Sequence, residues 1–181
     1  MIAAVILCAG AGARLGGVDK AALRLPDGRT FLAAVVAAAR AGGCAPIVGV
    51  ARPGQVLPGV ELVCNPTPER GMISSIVVGL AALAGRGVAA ALVWPVDHPR
   101  VLPDTVAALV AAARPGRIVV PVIAGRGGHP TAFGADVWPE LAAAASARAV
   151  VAADPGRVVR VAVADPGVRR DVDTPDDLAG V

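Results

Sequence analysis

Short apolar runs bounded by Gly and Pro recur along the chain: Ile2 to Cys8, Pro46 to Ala51, Val60 to Cys64, Val88 to Val96, Arg117 to Ile123 and Arg157 to Ala164. Their lengths and flanks predict buried strands. Ala-rich segments of helical length lie between them. Thr30 is placed to cap a helix running to Arg40, with Gly42 and Gly43 to stop it. Gly71 to Leu83 reads as a second helix, closed by Gly85. Pro103 and Asp104 suit the first turn of a third, which is expected to end near Arg114. Asp136 to Ala153 reads as helical with a break near Ser146. From Arg117 to Phe133 the alternation fails; Gly125 to Gly128 separates two apolar runs there and predicts a hairpin. The pattern implies an α/β fold, a three-layer α/β/α sandwich around a mostly parallel, Rossmann-like sheet. Strands apolar throughout imply a sheet covered on both faces.

The length of 181 residues suits one domain over the whole chain, 1–181, and needs no disulfide or metal staple. With 55% hydrophobic and 17% charged residues, disorder is excluded. The longest uncharged stretch, Gly71 to Gly85, falls short of the ~18 residues of a membrane span. The apolar start runs into a Gly-rich stretch and Arg14 without a basic region before it, so it is not read as a signal peptide. A net charge of +3 spread along the chain, with 2% aromatics, argues against a nucleic-acid partner. Cys8, Cys44 and Cys64 form no Cys-x-x-Cys pair and each ends an apolar run. They are expected to be reduced, small buried hydrophobes of a cytoplasmic protein. Arg is strongly preferred over Lys: Lys20 is the only lysine, and Asn65 is the only asparagine. Residues kept against such a bias merit inspection.

In sheets of this kind ligands bind beyond the carboxyl ends of the strands. After the first strand comes a glycine-rich segment from Ala9 to Lys20, carrying Gly10, Gly12, Arg14, Gly16 and Gly17. Glycines let backbone amides approach a phosphate chain. The segment is not a P-loop, because Lys20 lies between Asp19 and Ala21. It is not a dinucleotide fingerprint either, because Leu15 stands where its third glycine belongs and Arg52, not an acid, follows the second strand. What remains is a loop whose Arg14 and Lys20 can converge on phosphate, or a plain strand-to-helix turn. Asp97 follows the most apolar run and reads as a Mg²⁺ ligand or as a turn acid before Pro99.

The run Leu7-Cys8-Ala9-Gly10 through Arg14-Leu15-Gly16-Gly17-Val18-Asp19-Lys20 resembles the signature of the nucleotidyltransferases that complete molybdenum cofactor. The resemblance continues, in family order, at Asn65, Gly71-Met72-Ile73-Ser74-Ser75, Pro95-Val96-Asp97-His98-Pro99, Gly128-His129-Pro130 and Asp171-Val172-Asp173-Thr174-Pro175. It covers essentially the whole chain. It implies the fold of the nucleotide-diphospho-sugar transferases and transfer of a nucleoside monophosphate to a phosphorylated pterin-type acceptor, with pyrophosphate released.

On that resemblance Arg14, Lys20 and Asp97 are the catalytic residues. Leu7, Cys8, Ala9, Gly10, Gly12, Gly16, Asn65, Gly71, Met72 and Ser75 meet the nucleotide. Mg²⁺ is held by Asp97 and Asp171, with Asp173 the close alternative, and the acceptor meets His129 and Arg148. Arg148 stands in a Ser146-Ala147-Arg148 element where the family often has Gly-Ala-Arg, which leaves the acceptor open. His98 is expected to be solvated, and Lys20 to lie on an exposed loop. Ala in the third place of the first turn follows the cytidylyl branch, so CTP is expected over GTP; a methyl there takes room a purine needs. A guanylyltransferase, an enzyme acting on another phosphorylated metabolite, and a non-catalytic nucleotide-binding factor are the alternatives. A molybdoenzyme or its maturation chaperone is a possible partner.

Overall fold

The computed structural model describes residues 1–10, 17–173 and 177. Among these, the strands are β1 (Ile2–Leu7), β2 (Ile47–Ala51), β3 (Glu61–Cys64), β4 (Ala90–Pro95), β5 (Ile118–Ile123), β6 (Arg126–Gly127), β7 (Thr131–Gly134) and β8 (Val158–Ala162). They form one mixed sheet in the order β3-β2-β1-β4-β7-β5, with β6 and β8 both paired to β5. The block β3-β2-β1-β4 is parallel, and its register sets Leu7 opposite both Val50 and Pro95. One edge of the sheet therefore gathers the carboxyl ends of β1, β2 and β4. β7 runs antiparallel between β4 and β5, while β8 is parallel to β5.

Period-two alternation along β1 divides the core between the two faces. Ala4 and Ile6 pack with α1 (Phe31–Ala41) and α3 (Pro103–Ala112). Ala3, Val5 and Leu7 pack with α2 (Met72–Ala81), α4 (Trp138–Ala143) and α5 (Ala147–Ala153). Helices thus cover both faces of a mixed sheet in three layers. No helix among the described residues is long and apolar enough to cross a membrane.

Local chemistry accounts for the helix ends. The Thr30 hydroxyl accepts a hydrogen bond from the Ala33 amide at 3.1 Å and starts α1, which Gly42 ends. Ser146 does the same for α5 through the Ala149 amide at 3.2 Å. The expected break is therefore a cap, and the segment from Asp136 splits into a short 3-10 turn, α4 and α5. Gly71, at φ +88°, enters α2 in a conformation that a side chain would strain. Gly79 lets α2 lie close on the sheet: a Cβ there would come within 2.3 Å of Val5 Cγ1.

Two expectations need correction. The sheet is covered on both faces along β1, β2, β4 and β7, but not at its edges, where Glu61, Leu62 and Cys64 of β3 and Arg160 of β8 are exposed. An apolar run therefore did not distinguish a central strand from an edge, because β-branched residues suit both. Cys64 is accordingly exposed, whereas Cys8 and Cys44 are buried as expected. The hairpin turn falls on Ala124 and Gly125, both with positive φ, as a two-residue turn between antiparallel strands requires.

Candidate active site

A cleft of about 380 Å³ opens at the carboxyl ends of β1 and β4. Leu7, Cys8, Ala9 and Gly10 line it on one side, and Pro68, Gly71, Met72 and Ser75 at the start of α2 on another. Lys20, Pro95, Val96, Asp97 and Asp173 complete the wall. Most of the nucleotide-facing residues expected from the sequence meet there. Gly12, Arg14 and Gly16 lie outside the described residues.

Asp97 owes its place to the end of β4. The Val96 amide donates to the Leu7 carbonyl, the His98 amide to Pro95, and the indole of the fully buried Trp94 to the His98 carbonyl. The next turn is thereby fixed, and the Val172 amide donates to the Asp97 carbonyl at 2.9 Å, bringing the carboxyl-terminal segment alongside. Across from it, Asp19 caps a 3-10 turn, Lys20–Ala22, by accepting from the Ala21 amide at 3.0 Å.

That turn aims Lys20 Nζ between two carboxylates, 2.9 Å from Asp97 Oδ2 and in contact with Asp173 Oδ1. Lys20 was expected to be exposed, yet only 16% of its side chain is. The correction has a physical cause: a partly desolvated ammonium persists where two anions compensate it. Burial pulls its pKa down, but hydrogen bonds to Asp173 and Asp97, with their charges, outweigh burial and hold it above the usual lysine range. The structure brings Asp173, and not Asp171, onto this centre; Asp171 is exposed and outside the cleft wall.

Asn65 is wholly buried behind the wall rather than in it. Its Oδ1 accepts from the Thr67 amide at 3.0 Å, closing an Asx turn, and its Nδ2 donates to the hydroxyls of Ser74 and Ser75 at 2.9 Å each. Asn65 thus holds the hydroxyl of Ser75, a residue of the cleft wall. Cys8 lines the cleft as a thiol. Burial, then the charges of Asp19 and Asp97, push its pKa up, so it is a wall and not a nucleophile.

His98, expected to be solvated, is buried against the Asp97 turn, and its ring lies 5.0 Å from that of His129. His129, between β6 and β7, has a buried Nδ1 with no hydrogen-bond partner among the described residues. Burial first, and then His98, lower its pKa from 6.5 to about 4 against the opposing pull of Asp97 and Asp171. Between those values the unfolded chain binds a proton that the folded chain refuses. Stability should therefore fall as pH drops from 6.5 to 4, by no more than about 3 kcal/mol. Urea unfolding at pH 7 and pH 4.5 reads this slope, and His129→Gln is expected to flatten it. An unchanged slope in the variant would mean that another group titrates. Arg148 is exposed in the first turn of α5 and does not line the cleft.

One feature of the site went unread in the sequence. Gln55 Nε2 donates to the Cys8 carbonyl at 3.2 Å and to Asp19 Oδ1 at 2.8 Å. A signal was present: Gln55 is the only glutamine in the chain, as Lys20 and Asn65 are the only residues of their types.

Comparison with known proteins bears on this arrangement. The family model described as a MobA-like NTP transferase domain matches residues 4–164, which span β1 through β8. The chain belongs to that family. Within the MobA-like NTP transferases, it is 38% identical over 100 residues to a probable molybdenum cofactor guanylyltransferase of Mycobacterium tuberculosis H37Rv. That match covers 54% of this chain and 49% of the relative, so the chain spans about half the length of the curated relatives it first matches. It is also 32% identical to a protein named nicotine blue oxidoreductase from Paenarthrobacter nicotinovorans, covering 98% of this chain and 94% of that one. Among solved structures, Rv0371c of M. tuberculosis H37Rv superposes with a TM-score of 0.79 at 28% identity, covering 99% of this chain and 95% of that one. A second structure of Rv0371c, 26% identical with a TM-score of 0.79 and covering 99% and 96%, is a complex with manganese.

Proposed function

We propose that this chain transfers the nucleotidyl group of a nucleoside triphosphate to the terminal phosphate of a molybdopterin-type acceptor, with CTP as the favoured donor. The observation that carries the reading is the Lys20 ammonium, held between Asp97 and Asp173 at the mouth of a cleft walled by a glycine turn and the start of a helix. Two carboxylates converging on one cation also form the donor set a divalent ion uses when phosphate and water supply the remaining oxygens. Asp97 and Asp173 are the residues that would hold Mg²⁺, and the manganese complex of Rv0371c supports divalent metal use in a relative. A bound ion supplies charge neutralisation at the α-phosphate.

The residues of the chain perform the rest. An acceptor phosphate oxygen forms a bond to the α-phosphorus, and the bond from that phosphorus to the β-bridging oxygen breaks. The electron pair leaves with pyrophosphate. A phosphate monoester is largely ionised at neutral pH, so the attack needs no side-chain base. The chain must align the two phosphates and offset charge on the departing one. Lys20 serves the second need, and the same role is carried over from the family resemblance to Arg14, which lies outside the described residues. Gly71 and Ser75 border the space assigned to the base, and His129 and Arg148 are carried over as acceptor contacts.

The choice of CTP rests on Ala9, which lines the cleft in the third place of the first turn. A methyl against the base is expected to disfavour a purine by roughly ten- to a hundredfold. The relatives named guanylyltransferases favour the second reading, GTP. Incubating the chain with molybdopterin and each nucleoside triphosphate, and measuring pyrophosphate, tests both levels. CTP-dependent release is the expected result. Faster turnover with GTP moves the assignment to the guanylyl branch, and nucleotide binding without release makes the chain a binding factor.

A further inference from the structure

We propose that Gln55 is a positioning residue for the nucleotide cleft, one that ties the turn after β1 to the turn that carries Lys20. The inference rests on the functional reading above and extends it to a residue outside the cleft wall. The oxygen and the nitrogen of the Gln55 primary amide are both engaged. Its Oε1 accepts from the Arg52 amide at 3.1 Å, which fixes the orientation of the group. Its two amide protons then point to different parts of the chain, one to the Cys8 carbonyl at 3.2 Å and one to Asp19 Oδ1 at 2.8 Å. The same Asp19 oxygen accepts from the Ala21 amide and so caps the turn bearing Lys20.

The neighbouring Arg52 adds a second tie from the same loop, donating from Nη1 to the Gly10 carbonyl at 3.2 Å. Cys8 and Gly10 stand at the start of the glycine-rich segment Ala9 to Lys20, and Asp19 stands near its end. A single loop after β2 therefore holds the glycine-rich segment near both of its ends. Gln55 suits this role because a primary amide carries both a donor pair and an acceptor on one rigid plane. A carboxylate in its place would face Asp19 and a carbonyl oxygen with no proton to offer either.

The test uses the full chain, with hydrogen exchange at the Ala21 amide and calorimetric titration of magnesium–CTP and magnesium–GTP. Gln55→Leu is expected to speed exchange at Ala21 and weaken nucleotide affinity, each by roughly tenfold, with exchange in β1 and β4 unchanged. Gln55→Glu is expected to do the same or worse, through repulsion of Asp19. Combining Gln55→Glu with Asp19→Asn restores a donor–acceptor pair at residue 19 while leaving the tie to the Cys8 carbonyl broken. It is expected to recover part of both losses relative to Gln55→Glu, which a general loss of packing would not allow. Unchanged Ala21 exchange in Gln55→Leu, unchanged nucleotide affinity, or no recovery in the double variant each overturns the proposal. A wild-type chain that binds nucleotide without releasing pyrophosphate overturns the transferase reading alone, because exchange and affinity still decide Gln55. A wild-type chain that binds neither nucleotide overturns both.

Discussion

Replacing Lys20 with alanine is expected to lower turnover by about a hundred- to a thousandfold while leaving the sheet folded. That is the scale on which one preorganised electrostatic contact to a developing charge acts in a water-poor site. Lys20 is well placed for such an effect, because its ammonium is already partly desolvated and aimed between Asp97 and Asp173. The substitution also removes the ammonium that lies between the two carboxylates, so the variant should unfold at a lower temperature than the unmutated chain. The sign follows from the raised pKa: this contribution to stability is present at neutral pH and is lost only as pH rises through the lysine range. Adding Mg²⁺ should return part of the lost thermal stability, since an ion can occupy the place the ammonium vacates. Steady-state pyrophosphate release and thermal unfolding with and without Mg²⁺ read the two effects separately. Near-normal turnover from a folded Lys20→Ala chain would sink the assignment.

The second large effect is expected at Asp97. In the unmutated chain, nucleotide should bind more tightly with Mg²⁺ than with a chelator. In Asp97→Ala that gain should shrink by at least the ten- to hundredfold that loss of even an outer partner costs a metal site. Asp173→Ala should behave alike, because both carboxylates meet the same ammonium, whereas Asp171→Ala should leave the gain intact. Binding measured in chelator should change little in all three variants. Retention of the full Mg²⁺-dependent gain by Asp97→Ala would show that the ion, if used, is held elsewhere. Loss of it in Asp171→Ala would restore the ligand pair carried over from the family resemblance.

The layers of the fold were legible because burial on two faces leaves a strong mark. β1, β2 and β4 are apolar from end to end, and Gly or Pro marks their limits. The insertion of β7 between β4 and β5 was not legible. Thr131–Gly134 is a short buried run, and nothing in its composition names the strands it pairs with. In the site, Asp97 and Lys20 stood out as charges just beyond apolar or glycine-rich runs. Their mutual contact did not, because it depends on a 3-10 turn and on the path of residues 165–173, neither of which has a periodic signal. His98 looked like a solvated neighbour of Asp97 and proved buried, since the carboxyl-terminal segment covers it and its Nδ1 lies 3.4 Å from the Gly167 carbonyl. Gln55 follows Pro53 and Gly54 in a turn, where polar residues carry no pattern that separates a brace from a solvated tip.

The ion pair between Lys20 and Asp173 joins residues 153 positions apart, and the Val172 amide ties the same carboxyl-terminal segment to the Asp97 carbonyl. Contacts of such sequence separation form late, because the chain between them must be arranged before closure is rewarded. The Lys20 centre is therefore complete only when the segment after β8 lies across the Asp97 turn. Val168 and Val172 of that segment are buried in the core, so its seating is coupled to the packing of the sheet and its helices. The seating of one irregular carboxyl-terminal segment is consequently what joins the integrity of the core to the geometry around Lys20.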